Sequence, residues 1–132
     1  IKDAVGDFEF SKKQLELLKD KVDIYSGNDN QTYDFVINGG VGVVSVASHV
    51  VGDEISEMIS FAKDNDLEKA EEINMQLSNL FEAIFEEPSP GPIKKILSES
   101  WEEVGEPLLP ITSITPELAN KIRGFYKKIK EN

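Results

Sequence analysis

Three short apolar runs begin at Ile1, Val22 and Val43, 21 residues apart, and each is followed by residues with helical signals. This alternation predicts the βα units of an α/β fold. The run Val41 to Ala47 is rich in valine and lacks polar alternation, the pattern of a strand buried on both faces. The predicted sheet is therefore parallel and covered by helices.

The spacing predicts a helix from Ser11 to about Asp20, with Ser11 and Gln14 as a capping box and Leu15 and Leu18 inward. Val22 to Tyr25 reads as a short strand stopped by Ser26-Gly27, and Thr32 to Asn38 as a short helix ended by Gly39. A helix over 53–63 follows, with Ile55, Met58, Ile59 and Ala62 inward. A longer one carries Ala70, Ile73, Leu77, Leu80, Phe81 and Ile84 on one stripe. Pro88, Pro90 and Pro92 stop that helix and hold 87–92 extended. A helix from Ile93 to about Trp101 comes next, then an irregular connection. Thr115-Pro116-Glu117 is a strong helix start, and Leu118, Ile122, Phe125 and Ile129 form the last buried stripe.

Composition narrows the chemistry more than the fold. With 14 Lys and Arg against 25 Asp and Glu, the 132-residue chain carries a net charge of -11, which disfavours binding to a phosphate backbone. No nucleic-acid partner is expected, and no apolar run approaches the length of a membrane span. Absence of cysteine removes disulfides and thiolate nucleophiles, and a single histidine cannot build a multi-His zinc site. The chain opens Ile1-Lys2-Asp3-Ala4, with neither an initiator Met nor a leader pattern. The reading is a cytoplasmic protein of which this chain is a piece.

Lys2 draws attention first, because it projects from an apolar, strand-like start. Burial there lowers an ammonium's pKa and turns the amine into a nucleophile able to form a Schiff base with a carbonyl; the alternative is a solvated lysine near a chain end. Gly39-Gly40-Val41-Gly42 precedes a strand instead of joining a strand to a helix. It reads as a helix cap followed by close backbone packing, ahead of a phosphate cradle. Asn28-Asp29-Asn30 lacks the glycine and distal glutamate of a calcium loop and reads as a turn with a helix cap. His49 reads as a hydrogen-bonded structural residue, Trp101 as a core or interface plug, and Ser26 and Ser45 lack a visible base.

Four segments, in order, carry a resemblance. Ile1-Lys2-Asp3-Ala4-Val5-Gly6-Asp7 resembles the lysine-bearing sixth strand of the dihydrodipicolinate synthase and N-acetylneuraminate lyase superfamily, and Tyr25-Ser26-Gly27-Asn28-Asp29 its seventh. Gly39 to Val46 resembles the eighth strand, and Glu87 to Lys94 the proline-rich linker of its C-terminal helices. The resemblance implies the C-terminal part of a (β/α)8 TIM barrel, its last three βα units over 1–66, followed by a helical extension over 67–132. Such a barrel takes about 250 residues, so the expected content is about half a barrel plus the appendage.

By the same resemblance, Lys2 is the Schiff-base residue of a pyruvate-dependent class I aldolase. Val44 is the residue whose main chain lies beside the bound pyruvate, and Gly27 edges the pocket. The implied reaction is the condensation of pyruvate with an aldehyde, aspartate semialdehyde in lysine biosynthesis, through a covalent lysine–pyruvate Schiff base with no separate cofactor or metal. The implied assembly is a homo-oligomer. At Ser89 the synthases usually carry Asn, and at Leu108 Arg. A 2-keto-3-deoxy sugar acid aldolase, an N-acetylneuraminate lyase and a noncatalytic interaction module therefore stay open as alternatives.

Overall fold

The structure, a computed structural model, describes residues 1–131; Asn132, the last residue of the expected helical extension, lies outside them. Three strands, β1 (Lys2–Asp3), β2 (Tyr25–Ser26) and β3 (Gly42–Val43), form a parallel sheet in that order. Lys2 pairs with Tyr25 and Tyr25 with Gly42; Asp3 pairs with Ser26 and Ser26 with Val43. Ladder bonds extend past the strand ends, from the Tyr25 amide to Ile1 O at 2.8 Å, the Val41 amide to Ile24 O at 2.9 Å and the Val44 amide to Ser26 O at 2.8 Å.

Among the described residues the α-helices number six: α1 (Phe8–Leu18), α2 (Thr32–Ile37), α3 (Ser48–Lys63), α4 (Leu67–Ala83), α5 (Gly91–Ser100) and α6 (Pro116–Lys130). The chain forms two compact units, one of residues 1–46 and 53–74, the other of 47–52 and 75–131. In the first, Leu15, Ile24 and Phe35 make one buried cluster flanked by Phe8 and Leu18. Val36, Ala62 and Ala70 make a second, flanked by Tyr33, Ile59 and Phe61. In the second unit the buried side chains include the expected stripe residues Leu77, Leu80, Phe81 and Ile84, Leu118, Ile122 and Ile129, together with Val51, Ile93 and Ile96. No helix among the described residues is long and apolar enough to cross a membrane.

Several expectations change. Residues 87–92 are not an extended linker throughout, because Ser89–Pro90 forms a turn and helix α5 starts at Gly91 with Pro92 in its first turn, where proline's missing amide costs nothing. Trp101, 72% exposed, plugs no core within this chain. Helix α1 begins at Phe8, not Ser11: the Asp7 carboxylate accepts from the Glu9 and Phe10 amides, and Ser11 is buried inside the helix with its hydroxyl donating to Asp7 O. A carboxylate also complements the helix dipole, which a hydroxyl does not. Strand β3 covers only Gly42–Val43 of the Val41 to Ala47 run, its partner β2 being Tyr25–Ser26. Nor is this strand buried on both faces, for Val44 is 50% exposed. Helix α3 starts at Ser48, ahead of the expected Asp53, with a non-helical Val51 (φ −130°, ψ 37°) between its first turn and the rest.

Candidate active site

The pleat sorts the sheet residues onto two faces, since side chains alternate along a strand. Asp3 and Ser26 point to the covered face and are buried. Lys2 and Tyr25 lie on the opposite face and are exposed, as is Val44 at the end of β3. Lys2 is thus not the desolvated lysine expected: within this chain no described element covers the face from which it projects.

The three residues singled out by resemblance come together at the C-terminal ends of adjacent strands. Gly27 follows β2, and its amide donates to Asp3 O at 2.5 Å. A Cβ at Gly27 would stand 2.8 Å from Lys2 Cε, 2.7 Å from Ala4 Cβ and 2.9 Å from Asp3 O. The Lys2 side chain therefore runs across the bare backbone of Gly27, and space is what requires glycine here. Val44 is the next rung, its amide bonded to Ser26 O. One alkyl amine and two stretches of backbone thus share one end of a parallel sheet.

Other residues are placed differently from the sequence reading. Asp29 opens a single 3-10 turn (Asp29–Gln31) and is 2% exposed. Its carboxylate accepts from the Ser45 hydroxyl and, at 3.1 Å, from the Val46 amide. It is a link between two loops rather than the turn cap or calcium ligand weighed above. The signal for it was the pair of a lone acid just past β2 and a hydroxyl just past β3, readable only once the register is known. Ser26 spends its hydroxyl on Asn28, donating to the carbonyl at 2.8 Å and accepting from the amide at 3.1 Å, so it is no nucleophile. His49 is exposed in the first turn of α3. Asp3 Oδ1 accepts from the Val5 amide at 2.9 Å, while buried Oδ2 has no hydrogen-bond partner among the described residues.

The glycine-rich segment closes α2. Gly39 takes φ 99° and donates to Val36 O; Gly40 donates to Phe35 O at 2.8 Å. A Cβ at Gly40 would strike Phe35 at 2.7 Å.

Residues 1–129 match the Dihydrodipicolinate synthetase family. The chain belongs to that family. It is 32% identical over 131 residues to the 4-hydroxy-tetrahydrodipicolinate synthase of Listeria monocytogenes, covering 99% of this chain and 45% of the relative. It is 41% identical over 123 residues to the enzyme of that name from Thermosynechococcus vestitus, covering 93% and 42%. Among solved structures, the lysine-bound synthase of Cyanidioschyzon merolae superposes with a TM-score of 0.91 at 35% identity, over 98% of this chain and 44% of that one. The Thermotoga maritima synthase gives 0.93 at 27% identity, over 98% and 45%. The chain therefore spans less than half the length of these relatives, and its fold is the C-terminal part of their barrel with its helical extension. The parallel order β1-β2-β3 supplies the last three strands of that family barrel.

Proposed function

We propose that the protein of which this chain forms part is a 4-hydroxy-tetrahydrodipicolinate synthase acting in lysine biosynthesis, with Lys2 as its Schiff-base residue. The observation that carries the reading is the juxtaposition of the Lys2 side chain with the Gly27 backbone at the C-terminal end of a parallel sheet, in a chain of this family. Barrel enzymes of this kind work at that end of their strands. The Lys2 amine adds to the C2 carbonyl of pyruvate and water leaves, giving an iminium. Loss of a proton from C3 gives an enamine, whose carbon attacks the aldehyde carbon of aspartate semialdehyde and forms the new carbon–carbon bond. Backbone at Gly27 and Val44 flanks the keto acid and leaves room that side chains would fill. The chemistry calls for no cofactor beyond the lysine. The reading also includes a cytoplasmic location and a homo-oligomeric assembly.

The test is borohydride reduction in the presence of pyruvate, on a protein of the relatives' full length that carries this sequence. Peptide mapping should find the reduced adduct on Lys2, and Lys2→Ala should abolish it. An adduct on another lysine, or none, sinks the assignment. Turnover with aspartate semialdehyde in preference to sugar-derived aldehydes separates the synthase from a sugar acid aldolase.

A further inference from the structure

The last ladder bond between β2 and β3 is the one from the Val44 amide to Ser26 O. Past it the two segments diverge, one toward the 3-10 turn at Asp29 and the other toward α3. Asp29 spans that divergence: Oδ1 accepts from the Ser45 hydroxyl and Oδ2 from the Val46 amide, 16 and 17 residues along the chain. Using one oxygen for each bond fixes both the distance between the loops and the direction of the carboxylate. A carboxylate that is 2% exposed is costly to hold unless it is hydrogen-bonded, so the bonds and the burial of Asp29 stand or fall together.

Gly27 lies two residues before Asp29, and Val44 one before Ser45. We infer that Asp29 is a positioning residue: through Ser45 and Val46 it sets the separation of the Gly27 and Val44 main chains, and with it the width of the slot for the 2-oxo acid. The inference rests on the Schiff-base reading above for what occupies that slot, but not for the link itself. Asp29 acts through the backbone and takes no part in the carbon–carbon bond-forming chemistry. An asparagine has one acceptor oxygen and no charge, so it can keep the Val46 amide only through a weaker, neutral bond, with Nδ2 turned toward Ser45 Oγ.

The test uses the same full-length protein with Asp29→Asn, Ser45→Ala and Ser45→Thr. Hydrogen exchange at the Val46 amide should quicken in Asp29→Asn, while the Tyr25 amide, bonded to Ile1 O, keeps its rate. The KM for pyruvate should rise about tenfold with kcat changed by less than about threefold, the pattern of lost substrate binding rather than lost chemistry. Ser45→Ala should give a smaller rise in KM, and Ser45→Thr, which keeps the hydroxyl, should restore the unsubstituted value. Equal exchange rates at Val46 overturn the link. A Lys2 adduct with KM unchanged in both Asp29→Asn and Ser45→Ala, or with the loss falling wholly on kcat, overturns the positioning role alone. Absence of a Lys2 adduct in the unsubstituted protein overturns the Schiff-base reading and the positioning role with it, whatever exchange shows.

Discussion

At Gly27 a single hydrogen atom in place of a side chain decides the site. A methyl group there would press on two side-chain atoms, Lys2 Cε and Ala4 Cβ, and on the Asp3 carbonyl oxygen, which belongs to a ladder-bonded backbone and has little freedom to move. Overpacking of this sort costs about 1–3 kcal/mol. Gly27→Ala is therefore expected to lower the urea unfolding midpoint of the chain by a corresponding amount, while alanine at open Gly124, inside helix α6, should raise it by the helix-propensity gain of about 0.5–1 kcal/mol. Equal midpoints for the two variants would refute the close approach. Lys2, Gly27 and Val44 could be singled out in the sequence because each sits in a contiguous motif, and their neighbouring strand ends follow from the parallel register. The Asp29–Ser45 link was not, since residues 16 apart have no relation until the strand register sets their loops side by side. The exposure of Lys2 was equally hidden: a strand's pattern tells that its residues alternate, not which face finds a cover.

Helices proved easier to read than strands, and α6 shows why. Of its expected stripe, Leu118, Ile122 and Ile129 are buried and Phe125 is half-buried, and Thr115 caps it by accepting from the Leu118 amide at 3.3 Å. A helix announces itself over four turns, whereas β1, β2 and β3 are two residues each and depend on their neighbours for length. The sequence did not reveal that the Glu87 carboxylate, from the proline-rich linker, accepts from both the Thr115 amide and its hydroxyl. Thr115→Ala removes the cap and one bond of this pair, and should cost about 1 kcal/mol, read as a lower thermal midpoint; Thr115→Ser should recover most of it. Between α5 and α6, Arg123 donates to both oxygens of Glu99 at 2.8 and 2.6 Å, and Lys95 adds a second cation at 3.1 Å. These bonds, Arg123's foremost, hold the Glu99 carboxyl down at about 2 against its ordinary 4.5. A depressed carboxyl stabilises the fold above its unfolded value and loses that contribution as pH falls from about 5 toward 2. Solvent screening limits it to at most about 1 kcal/mol at this partly exposed pair. Glu99→Gln should therefore flatten the acid limb of the unfolding midpoint against pH; an unaltered limb would mean the pair contributes nothing.

On the scale of the whole molecule, the chain spans about 45% of the length of the Listeria synthase, and its share of the barrel is the lysine strand and the two that follow. Lys2, Tyr25 and Val44 occupy a sheet face that is exposed in this chain. That exposure has a kinetic consequence. A keto acid bound at an uncovered Lys2 meets bulk water instead of fixed dipoles. Positioning and electrostatic preorganisation supply most of an enzyme's barrier lowering, and neither is complete with three strands. The isolated 132-residue chain should thus show no turnover of pyruvate with aspartate semialdehyde above the buffer rate, and only slow borohydride trapping spread over its lysines. Joined to the remaining length of its relatives, the same sequence should concentrate the adduct on Lys2 and turn over. Steady-state assay and peptide mapping on the two proteins decide the matter. Turnover by the short chain would mean that the catalytic groups all lie within these three βα units and the helices after them, and the reasoning from an incomplete barrel would fail.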